Sequence, residues 1–322
     1  MSKRFLIIGS GKYAIDCLRV LQRSAGECPV LVLAETERKT MGITLSSYCA
    51  RNEIEHHEYE KVNSIENLKF TQKFRPDFCL SLNNFQIIKE PLLSAAKKGA
   101  INFHNGPLPR YGGVNICSWA IINGEKEYGV TWHFMDEGID TGAIIAQRFF
   151  PIPDDATGLS LTMQCANVGI GLFEEILPML VDGVVPSVTI KKRNASYFGK
   201  KDIPFGGRID FRWPYDKLDR FVRGLSFHPF PSQFVYARTS YASRDLTIIK
   251  VSPVRLPSKS HFPPGTITAI SATGIVVAVY QAFAMIEEVL DDELANMPIA
   301  HCVEKYGMKI GGRFDLPSSR TE

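Results

Sequence analysis

The sequence predicts an α/β protein, a doubly wound, mostly parallel sheet followed by a smaller β-rich C-terminal domain. Three observations carry this. Short apolar runs bounded by turn residues alternate with helical patterns through the first half. The period then changes to short β-branched segments separated by Pro and Gly. At 322 residues and 45% apolar content, the chain is long enough for two cores.

Taken in order, FLII (5–8), VLVLA (30–34), FCLSL (78–82) and AINF (100–103) read as buried strands, because an apolar run without alternation suits a strand covered on both faces. Between them, residues 12–23 place Ile15, Leu18, Val20 and Leu21 on one helical stripe, and 64–74 and 90–97 repeat the pattern more weakly. YGVTWHFM (128–135) and GAIIAQRFF (142–150) are two further strands around the turn DEGIDTG. A long helix begins near Thr157 and is closed by Gly183. Residues 186–206, rich in Lys, Gly and Pro, read as a linker, after which WPYDKLDRFVRGL (213–225) puts Leu218, Phe221, Val222 and Leu225 on one face. Segments 233–238, 245–251, 265–270 and 274–280 then suggest a small barrel or sandwich. The expected domains are a catalytic domain over 1–190, a linker over 191–206 and an OB-like barrel over 207–315.

Charge narrows the function classes. With 37 basic against 34 acidic residues, the net charge of +3 is too small for the strong positive field of a dedicated nucleic-acid binder. KKRNASYFGKK (191–201) and Lys97-Lys98 read as solvated surface. No apolar run approaches the roughly 18 residues of a membrane span, and the opening MSKRFLIIGSGK reads as a first strand, so no membrane partner is expected. The seven cysteines, Cys17, Cys28, Cys49, Cys79, Cys117, Cys165 and Cys302, form no C-x-x-C pair, and a reducing, cytoplasmic setting is expected.

Two stretches carry chemistry. IIGSGKYA places Gly9, Gly11 and Ala14 at G-x-G-x-x-A, with Glu35 ending the next strand about 20 residues later, a dinucleotide fingerprint that makes an NAD-dependent oxidoreductase one reading. That reading explains nothing about residues 101–142, and Lys12 lacks the upstream glycine of a Walker loop. In INFHNGPLPRYGG (101–113), Asn102 and His104 share one face at the carboxyl end of a strand. An amide beside an imidazole can bind a carbonyl oxygen and manage a proton, and a carboxylate such as Asp140, facing them from the DEGIDTG turn, can orient the imidazole and hold a water. Those are the needs of acyl transfer to an amine. Gly138, Thr141 and Gly142 would admit a planar ligand close to backbone, while Pro107, Pro109, Gly112 and Gly113 fix the loop path. Singly, each residue also has a structural reading: Asn102 at a strand edge, His104 in the core, Asp140 capping a turn.

INFHNGPLPRYGG followed by WAIINGEKEYGVTWHFMDEGIDTGAIIAQ resembles the formyltransferase family that uses 10-formyltetrahydrofolate. Its hallmark is Asn-x-His, a Ser-Leu-Leu-Pro-like loop and a Met-Asp-x-Gly-x-Asp-Thr-Gly turn, complete here as MDEGIDTG, 135–142. GGRIDFRWPYDKLDRFVRGLSFHPFPSQF is similar to the opening of the C-terminal domain in methionyl-tRNA formyltransferases and in formyltransferases acting on amino sugars or peptide-synthetase substrates. The resemblance spans residues 4–280. It implies a Rossmann-like formyltransferase fold, a catalytic trio of Asn102, His104 and Asp140, and 10-formyltetrahydrofolate as co-substrate without a metal. It also implies a pterin pocket lined by backbone of Phe85, Gln86, Ile87 and Ile88 and by Met135, Asp136, Glu137, Gly138, Ile139 and Asp140. In the implied mechanism an amine attacks the formyl carbon directly. Asn102 and His104 stabilise the oxyanion, and His104, polarised by Asp140, moves the proton toward the departing folate nitrogen.

The sequence departs from the tRNA-acting members in three places. The loop reads NGPLP, the first turn reads GSGKYA rather than a Gly-Thr-Pro-like stretch, and ETERKTMGITLSS (35–47) lacks the long basic insertion those members use on the acceptor stem. The expected acceptor is a small or carrier-linked primary amine, either a nucleotide-linked amino sugar or an amino acid intermediate, with methionyl-tRNA as the alternative. A non-catalytic binding protein that kept a folate fold is the third class. The second domain is expected to shape the amine pocket, or to be a vestigial module or a dimerising one in a homodimer, with Trp213, Phe221 and Phe227 in its core rather than forming a stacking platform. Arg110 and Tyr111 follow the Asn102–His104 strand closely enough in sequence to contact an acceptor, with a plain surface role as the equal alternative.

Overall fold

A computed structural model of the chain describes residues 2–25, 28–36, 42–189, 194–232, 234–255 and 260–318. The chain forms two units. Unit 1 is Met1–Gly113, Glu127–Phe150 and Met163–Tyr197; unit 2 is Val114–Lys126, Pro151–Thr162 and Phe198–Glu322. The expected domains are contiguous in sequence, whereas each of these units is assembled from three segments.

In unit 1, β1 (Phe5–Gly9), α1 (Gly11–Ser24), β2 (Val30–Glu35), α2 (Leu45–Arg51), β3 (His56–Tyr59), α3 (Ile65–Phe74), β4 (Phe78–Leu82) and β5 (Gly99–His104) build five parallel strands in the order β3-β2-β1-β4-β5. The two-residue strand β6 (Gly112–Gly113) follows, then α4 (Ile116–Asn123) of unit 2. The sheet resumes with β7 (Glu127–Phe134), antiparallel to β5, and β8 (Ile144–Pro151) at the edge. Next comes α5 (Gly158–Asp182), and β9 (Tyr197–Phe198) pairs with β6.

Local chemistry explains these elements. β1 is buried along its length, and a Cβ on Gly9 would lie 1.8 Å from the Leu82 carbonyl oxygen, so β1 and β4 can approach only through a glycine. α1 buries Ala14, Ile15, Cys17, Leu18, Val20 and Leu21. Thr44 and Ser64 cap α2 and α3 with side-chain oxygens that accept from Ser47 and Asn67 backbone amides at 3.0 and 3.2 Å. α5 meets the sheet at Gly169, where Trp132 Nε1 donates to the carbonyl at 3.0 Å. Trp132 stacks on Phe173 of α5 itself, Tyr13 stacks on Phe103, and the Phe103 and Trp132 rings lie tilted against each other at 5.3 Å.

Unit 2 contributes α6 (Tyr215–Gly224), β10 (Arg238–Tyr241), β11 (Arg244–Val254), β12 (Ile267–Ile270), β13 (Ile275–Val279), β14 (Ala282–Leu290), β15 (Asn296–Met297), α7 (Ile299–Tyr306) and β16 (Phe314–Asp315). The antiparallel order is β12-β13-β14-β11-β10-β16, with β15 on β14. Ile267 N donates to Gly312 O at 2.8 Å and Phe314 N to Gly265 O at 3.0 Å, so the two ends of the sheet meet and it closes into a small barrel. Phe211, Leu218, Phe221, Val222, Val277, Ile286 and Phe314 fill it; Trp213 packs against that core half-buried, and Phe227 is half-buried.

Several expected boundaries move. Residues 90–97 form only a 3-10 turn at Leu93–Ala95, because Pro91 and Gly99 leave too short a run for a helix. The stretch 186–206 is not a free linker: Val188 bridges Ile144, 197–198 is a strand, and Pro204–Gly207 is a 3-10 turn, while residues 190–193 lie outside the described set. Of segment 233–238, residue 233 is also outside it, and the strand begins only at Arg238. α2, β3, α4, β14, β15, α7 and β16 are absent from the sequence expectation. α4 is apolar nearly all round, and β3 is the polar edge segment HHEY, so neither carries the period that reveals a helix or strand.

Candidate active site

The β5–β7 ladder pairs Asn102 with His133 and His104 with Thr131. Directly opposed residues of an antiparallel pair share a face, so His133 joins Asn102 and His104 where β5 ends. Both imidazoles are buried. His104 Nε2 lies 2.6 Å from the Tyr111 carbonyl oxygen, which can only accept, so Nε2 carries the proton. That leaves Nδ1, 3.5 Å from Asp140 Oδ1, as the nitrogen able to take a further proton.

Burial pushes the His133 imidazole down to about 4, helped by the neighbouring His104 and opposed by Asp140. His133 is therefore neutral near pH 7. Its Nδ1–H donates to the Phe134 carbonyl at 2.7 Å, and its bare Nε2 accepts from Asn102 Nδ2 at 3.2 Å. The Asn102 amide is thus oriented, with its second N–H left for another acceptor.

Asp140 sits at the far end of the 135–142 turn with φ of 58°, and its Oδ2 accepts from the Gly113 amide at 2.8 Å. The turn is self-built. Asp136 Oδ1 accepts from Gly138 N at 3.0 Å and from Thr141 Oγ1 at 2.6 Å. A Cβ on Gly142 would fall 1.9 Å from the Phe134 carbonyl oxygen. Thr131 Oγ1 donates to Gly106 O at 2.7 Å and accepts from Leu108 N at 3.2 Å, and Gln147 Nε2 reaches both Thr131 Oγ1 and Leu108 O at 2.8 Å. These bonds hold the loop after His104. Asn102, His104 and Asp140 are thereby brought together, with His133 added. His133, Thr131 and Gln147 were not singled out in sequence; the alternation of Thr131 and His133 along a strand otherwise apolar and buried was the available signal.

Of the residues expected around a pterin, Ile88 is buried and Met135 packs against the same apolar cluster, so the 85–88 and 135–140 segments share a floor. Gln86 faces inward: its Nε2 donates to Glu35 Oε1 at 2.8 Å and to Glu60 O at 3.0 Å, and its Oε1 accepts from Val62 N at 3.0 Å. The carbonyls of Gln86 and Ile87 accept from Asn84 and Asn63 side chains at 2.7 and 2.8 Å. Phe85, Ile87 and Ile139 are large apolar side chains left exposed on these segments, and Asp136, Glu137 and Gly138 are exposed beside Ile139. Exposed apolar side chains on two segments rooted in one apolar cluster suit contact with a flat aromatic ligand. Tyr111 is buried against Tyr128, so only Arg110 of the acceptor candidates presents its side chain outward.

The glycine fingerprint has a structural cause. Gly9 answers to Leu82, Gly11 adopts φ of 71°, and the Glu35 carboxylate is engaged by Gln86. No helix among the described residues is long and apolar enough to cross a membrane.

The family model described as formyl transferase matches residues 3–176, and that of the formyl transferase C-terminal domain matches 205–307. The chain is 34% identical over 228 residues, 71% of its length and 86% of the relative's, to a GDP-perosamine N-formyltransferase of Brucella melitensis biotype 1. It is 28% identical over 315 residues, 96% of its length and 97% of the relative's, to a methionyl-tRNA formyltransferase of Acetivibrio thermocellus. In fold it is similar to the N-formyltransferase of Helicobacter canadensis solved with folinic acid and dTDP-3-aminofucose, with a TM-score of 0.69 at 22% identity, covering 89% of this chain and 99% of that one. The oxidoreductase reading falls with these matches: the chain belongs to the formyl transferase family, of which it carries both domains, and it is a formyltransferase.

Proposed function

We propose that this enzyme transfers the formyl group of 10-formyltetrahydrofolate to the primary amine of a nucleotide-linked amino sugar. The observation that carries the reading is the meeting of Asn102, His104 and Asp140 at the carboxyl end of β5, with both imidazoles partnered by protein groups. The sugar acceptor is supported by the Brucella relative, named for GDP-perosamine, and by the Helicobacter structure, solved with dTDP-3-aminofucose. The nearly balanced charge supports it as well.

The formyl folate, when bound, supplies the carbonyl carbon that the amine attacks and the nitrogen that departs. Phe85 to Ile88 and Met135 to Asp140 are the segments that would hold it. The second Nδ2–H of Asn102 donates to the carbonyl oxygen as negative charge grows there, a contact that strengthens toward the transition state. His104 Nδ1 takes the amine proton and passes it on to the departing folate nitrogen, so the imidazole ends neutral. Its Nε2–H is already spent on Tyr111 O, so its geometry supports a proton carrier more than an oxyanion donor. Once protonated, Nδ1–H faces Asp140 Oδ1, and the carboxylate, fixed by the Gly113 amide, stabilises the imidazolium. No metal enters this scheme. The seven free cysteines support a reducing, cytoplasmic setting.

The test is purified enzyme with 10-formyltetrahydrofolate and a panel of GDP-, dTDP- and UDP-linked amino sugars beside charged initiator tRNA. Release of free tetrahydrofolate is followed in each case. Formylation of a nucleotide sugar is the expected result; turnover with methionyl-tRNA alone would replace the acceptor, and folate binding without turnover on any amine would remove the reaction.

A further inference from the structure

Ser196 spends all three of its polar positions on one loop. Its Oγ accepts from the Tyr111 amide at 2.8 Å, its carbonyl accepts from the Gly112 amide at 2.9 Å, and its own amide donates to the Pro109 carbonyl at 3.2 Å. The fit is close at Gly112, where a Cβ would stand 3.4 Å from Ser196 O and 3.5 Å from the Tyr197 ring. The clasped segment also supplies both fixed partners of the site: the Tyr111 carbonyl takes the His104 Nε2 proton, and the Gly113 amide holds Asp140 Oδ2. Tyr111 and Gly113 both have positive φ, 57° and 98°, so the loop path is not one a free chain would keep.

We infer that Ser196 is a positioning residue for formyl transfer, setting the Tyr111 carbonyl and Gly113 amide and through them the His104 tautomer and the Asp140 carboxylate. The inference rests on the proposed roles of His104 and Asp140. Without the Ser196 hydroxyl the Tyr111 amide loses its acceptor and the loop relaxes. The His104 proton is then shared between Nε2 and Nδ1, which removes the free lone pair at Nδ1 from part of the population.

The experiment compares Ser196→Ala, Ser196→Thr and His104→Ala in the full-length enzyme. Main-chain pairing of residue 196 with Pro109 and Gly112 survives the alanine substitution, and a thermal melt checks that the variant folds; Ser196→Cys, near-isosteric with a weak acceptor, serves if it does not. Expected for Ser196→Ala is a loss of about 10- to 100-fold in kcat with KM for the formyl folate unchanged, a displaced pH–rate profile, and restoration by Thr. The ¹⁵N shifts of the His104 ring should change from a single Nε2–H tautomer to a mixture. Wild-type kcat and an unchanged His104 tautomer in Ser196→Ala, with His104→Ala inactive, would overturn the inference alone. An active His104→Ala would instead overturn the proposed chemistry on which it stands.

Discussion

Asn102 owes its orientation to a histidine that carries no proton on the facing nitrogen. The His133 Nδ1–H is committed to the Phe134 carbonyl, and burial keeps the ring neutral, so Nε2 can only accept. Asn102→Ala and His104→Ala should each lower turnover about 100-fold or more, as loss of one preorganised donor or proton acceptor does, measured as tetrahydrofolate release at saturating amine. His133 has a pH signature with a definite sign. Its folded value is depressed to about 4 from an ordinary 6.5, so its stabilising contribution is complete above 6.5 and is lost as pH falls toward 4, where the unfolded chain binds the extra proton first. His133→Gln should flatten that part of the stability–pH curve in urea titrations, whereas an unaltered slope would mean the imidazole is not held neutral. Asn102 and His104 were legible as a same-face pair; His133 was not, because its partner strand is known only once β7 is placed antiparallel to β5.

Among the elements, the packing of α5 on the sheet is decided by one missing side chain. A Cβ at Gly169 would come 2.2 Å from the Phe103 ring and 2.9 Å from Tyr13 Oη, groups that stack within the core. Gly169→Ala should destabilise unit 1 by about 1–3 kcal/mol, the ordinary cost of overpacking, despite the better helix propensity of alanine; a higher melting temperature would contradict this packing. The strands FLII, VLVLA, FCLSL and AINF are readable because they are apolar on both faces, and the amphipathic α6 because its buried residues recur with helical spacing. α4 escapes the same reading by being apolar on every side, and β14 by carrying Glu287-Glu288 in a strand otherwise rich in apolar residues. Residues 194–198 read as solvated surface by composition, yet their backbone and Ser196 hold the loop beside His104, since a hydrogen-bonding role of main chain leaves no trace in hydropathy.

For the molecule as a whole, the second unit depends on closing its sheet. Phe314 lies in the last strand, fully buried between Phe211 at 5.1 Å and Tyr241 at 5.6 Å, while its backbone joins the barrel ends at Gly265. Phe314→Ala should cost about 3–5 kcal/mol, the range for a large aromatic removed from a core, read by denaturant unfolding of the full chain. The segments 114–126 and 151–162 belong to this unit although they precede most of it in sequence. Composition blurs that boundary because both segments are flanked by the strands of unit 1.

By itself the sequence determined the order of an α/β sheet followed by a β-rich domain, the face shared by Asn102 and His104, and the membership carried by MDEGIDTG and the loop before it. These are properties of near neighbours along the chain, where side-chain period and turn chemistry operate. Tertiary structure alone decided that His133 orients Asn102, that Tyr111 O fixes the His104 tautomer, that Glu35 serves Gln86, and that Ser196 clasps the loop. Each of these is a hydrogen bond between groups from 7 to 85 residues apart, and such a bond exists only after burial has removed the competing water.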